Sequence, residues 1–286
     1  MTNDIEEIDL GFQHIYGSKY LKFQDEINCD DNTKEYINNL INYILNNHNN
    51  LNKKLVEKKM AELCKIHKLN KKPRNYIANY IIKQKIDIGK INEEEYNILN
   101  NFLMSKDVRS SSGILQISIM TAAENFSCEF DCYYCPNQPG MPRSYVSEGP
   151  SARRAVKLKF NTIKQFYERA STYAINGHPV DKIELIVLGG TWDSYPIEYH
   201  RQFIRDVYRA ANTFYMIDCD LENRNLTMEE EIKQNETALC KIIGLTIETR
   251  PDQINKEQIK RLLNYGVTRV QLGVQHTDNR ILKKIN

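Results

Sequence analysis

Three cysteines crowd into eight positions of the chain, Cys128-Glu129-Phe130-Asp131-Cys132-Tyr133-Tyr134-Cys135, a C-x3-C-x2-C run. Three thiolates on one tight loop can bind three irons of a [4Fe–4S] cube and leave the fourth iron without a protein ligand. An open iron takes a small chelating ligand, and the amino and carboxylate groups of S-adenosylmethionine form such a chelate. One electron entering the sulfonium would then release a 5′-deoxyadenosyl radical, while the protein holds cofactor and target in place. Tyr134 offers an aromatic face to the adenine; Tyr133 reads equally as a packing residue. The rival is zinc, which takes four ligands, often from two separated pairs. No second C-x2-C or histidine pair occurs, which leaves Cys219 or Cys240 to complete such a site.

The elements that must position this loop can be read around it. ILQISIMTA (114–122) is β-rich and ends just before the cysteines, and a Gly/Pro-rich loop carries them on to about Pro150. Strand and helix patterns then alternate. NTIKQFYERASTYAING (161–177) has helical spacing and stops on Gly177, KIELIVLGG (182–190) reads as a buried strand, and PIEYHRQFIRDVYRAANTFY (196–215) is helical with Pro196 in its first turn. KIIGLTIET (241–249) is a strand, NKEQIKRLLNYG (255–266) a helix, VTRVQLGVQ (267–275) a strand, and NRILKKIN starts another helix. Apolar strands alternating with helices predict an α/β architecture with a parallel sheet, about four βα units over residues 106–286. Residues 1–105 read as a separate helical domain.

Further polar groups fall at the ends of these strands. Gly189-Gly190-Thr191 follows the second, where glycines let the backbone approach a ligand closely, or simply make a turn. Glu248 and Arg250 end the third. They suit ribose hydroxyls and a methionyl carboxylate, or else pair with each other. Gln275 ends the fourth, within reach of a cofactor or only capping the sheet.

The 286 residues suffice for one large domain, or a large and a small one, and the net charge of +2 excludes little. Seven cysteines, an odd number and partly clustered, argue against a secreted disulfide scaffold. No apolar run approaches a membrane span, and MTNDIEEIDLGF lacks the basic and apolar regions of a signal peptide, so a soluble, cytoplasmic protein is expected. The helical domain segregates its charge. Asp4, Glu6, Glu7, Asp9, Asp25, Glu26, Asp30 and Asp31 precede a basic stretch that includes Lys53, Lys59, Lys71, Lys72, Arg74, Lys83 and Lys90. Such a stretch can neutralise nucleic-acid phosphates, or it is a solvated helix face.

The C-x3-C-x2-C spacing with an aromatic before its last cysteine resembles the radical-SAM superfamily. That resemblance implies a partial (β/α)6 TIM-like radical-SAM barrel preceded by the helical domain. It also implies a "GGE-like" role for Gly189-Gly190-Thr191, whose carbonyls bind the cofactor's amino group, with Thr191 where many relatives carry Glu. CYYCPNQPGMPRSY, EGPSARRA, NGHPVDKIELIVLGGTW, CKIIGLTIETRPD and YGVTRVQLGVQ resemble, more narrowly, the catalytic subunit of the Elongator complex, from about residue 110 to the end. Eukaryotic members space the first two cysteines more widely than this chain does.

This narrower resemblance implies an enzyme that makes 5-carboxymethyluridine at the tRNA wobble position from S-adenosylmethionine and acetyl-CoA, with a [4Fe–4S] cluster. It implies that Lys182 contacts acetyl-CoA, though the residue by itself reads as a solvated strand opener. It also implies tRNA binding by the basic helical region, including Lys71, Lys72 and Arg74, extended by Arg143, Arg153 and Arg154. The expected partners are tRNA, acetyl-CoA and Elongator-like subunits or a separate acetyltransferase chain, with no membrane. The chain is expected to stop before the last barrel units and to carry no GNAT acetyltransferase domain. The alternatives are a tRNA-binding relic without activity and a different radical-SAM tRNA-modifying enzyme, such as a methylthiolating one.

Overall fold

The computed structural model describes residues 15–18, 21, 22, 27, 29–123, 128, 130–216 and 219–285. The acidic residues Asp4, Glu6, Glu7, Asp9, Asp25 and Glu26, together with Glu129 and Asn286, lie outside them. The chain divides into two compact units: Met1–Ser112 with Ser171–Pro179, and Gly113–Ala170 with Val180–Asn286.

The first unit is helical: α1 (Asp31–Asn47), α2 (Lys53–Ile66), α3 (Asn75–Asp87) and α4 (Glu93–Leu103). Short polar side chains start most of these helices, because their oxygens satisfy backbone N–H groups that the first turn leaves unpaired. Asp30 caps α1 and Asn52 caps α2, while Asn92 and Glu95 form a reciprocal capping box on α4. The apolar stripes meet in one core, including Ile37, Leu40, Ile44, Met60, Ile82, Ile86 and Leu99. Lys83 belongs to that core, and this removes it from the expected basic surface. It is 2 % exposed, donates to the Tyr16 carbonyl at 3.0 Å, and lies 5.6 Å and 5.4 Å from the ring centres of Tyr16 and Tyr96. Burial lowers its pKa to about 8, against the pull of Asp87.

The second unit is built on β1 (Leu115–Met120), β2 (Lys182–Leu188), β3 (Lys241–Thr249) and β4 (Arg269–Leu272), all parallel in the order β1-β2-β3-β4. Between them in the chain run α5 (Pro150–Lys157), α6 (Thr162–Ile175), whose residues from Ser171 count with the first unit, α7 (Ile197–Thr213), α8 (Met228–Asn235) and α9 (Lys256–Asn264), and α10 (Asn279–Ile285) follows β4. Pro196 is the N-cap residue of α7 rather than part of its first turn. β2 alternates instead of being apolar throughout. Ile183, Leu185 and Val187 are buried, whereas Glu184 on the other face bonds Gln116 at 3.4 Å and Arg269 at 2.6 Å. Because every strand runs the same way, every loop that follows a strand emerges at the same edge of the sheet.

Candidate cluster and cofactor site

Those loops enclose a cavity of about 660 Å³, within the range of small-molecule sites. After β1 come Cys128, Cys132 and Cys135, after β2 Gly189-Gly190-Thr191, after β3 Arg250-Pro251-Asp252, and after β4 Gly273-Val274-Gln275. Glu248 and Tyr134 also line it, and Leu272, Val274, Leu282 and Ile285 form an apolar wall.

Two arginines bring positive charge to the sulfurs. Arg250 Nη1 donates to Cys132 Sγ at 3.2 Å, and its other nitrogens grip Asp252, with Nη2 2.7 Å from Oδ2. The Phe130 ring covers the guanidinium at 3.8 Å. Arg143 is ion-paired with Asp131 and reaches Cys135. Asp252 is held below the usual carboxylate range by Arg250. Burial pushes Glu248 up, opposed by the Tyr145 hydroxyl, which donates to Glu248 Oε2 at 3.3 Å. Cys128 Sγ lies 3.4 Å from Thr191 Oγ1, so the side chain in the third position of the glycine motif touches a cysteine.

The glycine turn is shaped by its neighbours. Gly189 has φ +153, and a Cβ there would lie 1.9 Å from Thr121 Oγ1, so only glycine fits. Thr121 in turn bonds Tyr195 Oη at 2.8 Å and the Leu188 carbonyl at 3.3 Å. The turn is tied to β3 through Asp193, whose Oδ2 accepts from Thr249 Oγ1 at 2.5 Å. Behind it the buried His200 holds the Trp192 carbonyl at 2.8 Å and stacks on the indole at 4.2 Å. Burial lowers the His200 pKa to about 4, which keeps the imidazole neutral at pH 7.

The donor set suits a cube with one open iron. Three half-exposed thiols line one cavity; Cys240 is buried elsewhere and Cys219 is not among the lining residues. Among the described residues no three His, Cys, Asp or Glu side chains converge as a single ion requires. A cube does not need that convergence, because its three thiolates bind three different irons. The two arginines offset part of the negative charge that thiolates and sulfides bring.

Residues 126–286 match the family model of the Radical SAM superfamily. The tRNA uridine(34) acetyltransferase of Methanocaldococcus jannaschii is 35 % identical over 253 residues, 85 % of this chain and 43 % of that protein. The chain belongs to the radical SAM superfamily, in the family of the Elongator catalytic subunit. Human Elongator complex protein 3 is 32 % identical over 194 residues, 64 % of this chain and 34 % of its own length. A solved structure of the archaeal Methanocaldococcus infernus Elp3, lacking its N-terminal residues, overlaps 60 % of this chain and 31 % of that one, with 31 % identity and a TM-score of 0.44. The chain thus spans about two-fifths of the length of the curated relatives it matches, 37 % and 43 % of two tRNA uridine(34) acetyltransferases. Its four βα units are part of a TIM-like radical-SAM barrel.

Of the positions singled out from sequence, the structure gathers Cys128, Cys132, Cys135, Tyr134, Gly189, Gly190, Thr191, Glu248, Arg250 and Gln275 around one cavity. It does not bring Lys182 there. Lys182 opens β2 at the far end from Leu188, about 20 Å along the strand at 3.3 Å per residue, and pairs with Asp181 at 3.3 Å. Arg143 and Arg154, expected on a nucleic-acid surface, are engaged inside the unit. Arg143 lines the cavity, and Arg154 donates to the Ser118 carbonyl at 2.7 Å. Lys71, Lys72, Arg74 and Arg153 are exposed. Sequence reasoning missed Phe130, Thr121, Tyr145 and Asp193 as parts of the site. Their only sequence signal is proximity to the motifs, since their partners lie far along the chain.

Proposed function

We propose that this chain is the radical-SAM portion of a tRNA wobble-uridine-modifying enzyme of the Elongator type, which uses S-adenosylmethionine and acetyl-CoA to form 5-carboxymethyluridine. The observation that carries this reading is the convergence of three thiols with the ends of β2, β3 and β4 on one cavity. When bound, the cluster and S-adenosylmethionine supply one-electron cleavage of a sulfonium and hydrogen abstraction from an unactivated carbon.

The chain's own residues do the holding. Cys128, Cys132 and Cys135 are the cluster ligands, and Arg143 and Arg250 balance their charge. Gly189 and Gly190 leave room for the cofactor's amino acid portion, with no side chain between it and the turn. Glu248, at the floor, offers acceptor oxygens to ribose hydroxyls. Leu272, Val274, Leu282 and Ile285 give a bound cofactor an apolar surface to lie against. The exposed Lys71, Lys72, Arg74 and Arg153 supply phosphate contacts for tRNA, the substrate named for the archaeal relative. Acetyl-CoA enters this reading from the acetyltransferase names of the relatives.

Anaerobic reconstitution tests it. The chain should take up about four irons, as one [4Fe–4S] cluster does, and dithionite with S-adenosylmethionine should yield 5′-deoxyadenosine. A protein that binds one zinc through all three thiols, or a loaded cluster with no cleavage of the sulfonium, removes the catalytic reading.

A further inference from the structure

Arg250 is placed to serve the cluster rather than the cofactor's carboxylate. Its guanidinium is fixed on three sides. Nε and Nη2 bind Asp252 at 3.0 Å and 2.7 Å, the Phe130 ring lies over its plane at 3.8 Å, and Nη1 donates to Cys132 Sγ at 3.2 Å. A fork held by a carboxylate on one edge and covered by a ring on one face has little freedom to swing toward a ligand. The third nitrogen, Nη1, is directed at sulfur. Phe130 and Cys132 belong to the loop after β1, while Arg250 and Asp252 follow β3, so the contact also pins the cysteine loop to the sheet edge.

We infer that Arg250 is a positioning residue that raises the reduction potential of the cluster through a charged hydrogen bond to the Cys132 sulfur. The inference rests on the reading of Cys132 as a cluster ligand. A hydrogen bond to a ligating sulfur withdraws electron density from the thiolate, and a nearby cation favours the more negative, reduced cluster. Both effects make the electron easier to add. Asp252 works in the opposite sense: its carboxylate fixes the guanidinium and also offsets part of its charge. Arginine thus supplies a permanent cation, part of whose charge at the sulfur is offset by the Asp252 carboxylate.

The test is an EPR-monitored reductive titration of the reconstituted protein, with dithionite as titrant and redox mediators present. In Arg250→Gln the reduction equilibrium falls by about tenfold or more, a midpoint lower by ~59 mV for a one-electron couple. In Asp252→Asn, which leaves the guanidinium in place with less charge opposing it, the midpoint rises. Pulsed EPR of reduced wild-type protein labelled with [15N]arginine shows nitrogen couplings from Arg143 and Arg250, and Arg250→Gln loses the second and keeps the first. An Arg250→Gln protein with a full complement of iron and an unshifted midpoint overturns the inference and leaves the cluster assignment standing. If Arg250→Gln takes up no iron, Asp252→Asn decides, and an unchanged or lowered midpoint overturns it. A wild-type chain that holds no cluster at all fails the underlying reading instead.

Discussion

Gly189→Ala probes the glycine turn directly. Glycine's φ of +153 is costly for any residue with a Cβ, and the new methyl would sit 1.9 Å from Thr121 Oγ1. The strained backbone costs about 1–3 kcal/mol. Moving the Thr121 hydroxyl sacrifices its buried 2.8 Å bond to Tyr195, about 1 kcal/mol more. In the free protein the turn, a segment at the cavity edge, relaxes and sheds most of this cost. Binding must restore the close approach, so the roughly 2–4 kcal/mol appears in the dissociation constant, a weakening of about 30- to 1,000-fold. Equilibrium dialysis of labelled S-adenosylmethionine against the reconstituted, anaerobic protein measures it. Adding Thr121→Ala removes the nearest obstructing atom and leaves neighbours at 3.1 Å or more, so the double variant should recover about fivefold, the ~1 kcal/mol assigned to the displaced hydroxyl, while the backbone strain remains. An affinity within threefold of wild type in Gly189→Ala alone refutes the argument, since the cofactor would then not depend on this turn.

The remaining predictions concern groups away from the turn. Lys83 has a folded pKa of about 8 against an ordinary 10.5, so between those values the unfolded chain holds one more proton and stability rises with pH. Urea denaturation should show wild type gaining on Lys83→Met by up to about 1.4 kcal/mol per pH unit across that window, and a flat difference would refute it. Lys182→Ala should leave reductive cleavage of S-adenosylmethionine within about twofold of wild type, because the side chain lies ~20 Å along β2 from the cavity; a loss of tenfold in 5′-deoxyadenosine yield would contradict that geometry. Reversing the charges of Lys71, Lys72 and Arg74 together should weaken tRNA binding and flatten its dependence on salt, measured by filter binding, with the slope falling by up to about one for each phosphate no longer neutralised; an unchanged affinity would make this stretch plain solvated surface.

Much of the second unit can be read from sequence because its strands are β-rich and its chemical motifs sit directly after them. Once KIELIVL and KIIGLTIET are strands in a parallel sheet, Gly189, Glu248 and Arg250 must share one edge. The same rule places Lys182 at the opposite edge, since it opens its strand, and the family-like VDK segment carries no sign of which end it occupies. Helix α8 has little signal in the sequence although Thr227 and Glu230 form a capping box, because its eight residues carry too short an apolar stripe. Charge patterns mislead where burial intervenes: Lys83, Arg143 and Arg154 look like their exposed neighbours along the chain and differ only in what surrounds them in space. The Phe130–Arg250 stack joins residues far apart in sequence, and no local pattern encodes it.

β4 pairs with β3 on one side, and among the described residues no strand pairs with its other side. Val270 and Leu272 are exposed, as are Ile259 and Leu263 on the neighbouring helix α9. This border combines greasy side chains with a ladder of backbone donors and acceptors open to water, a ready template for any extended peptide. Such an edge can also pair with the same edge of a second copy. Production of this unit should therefore be sensitive to concentration and temperature, and a lysine introduced at Val270 should improve its solubility before it changes anything at the cysteine loop.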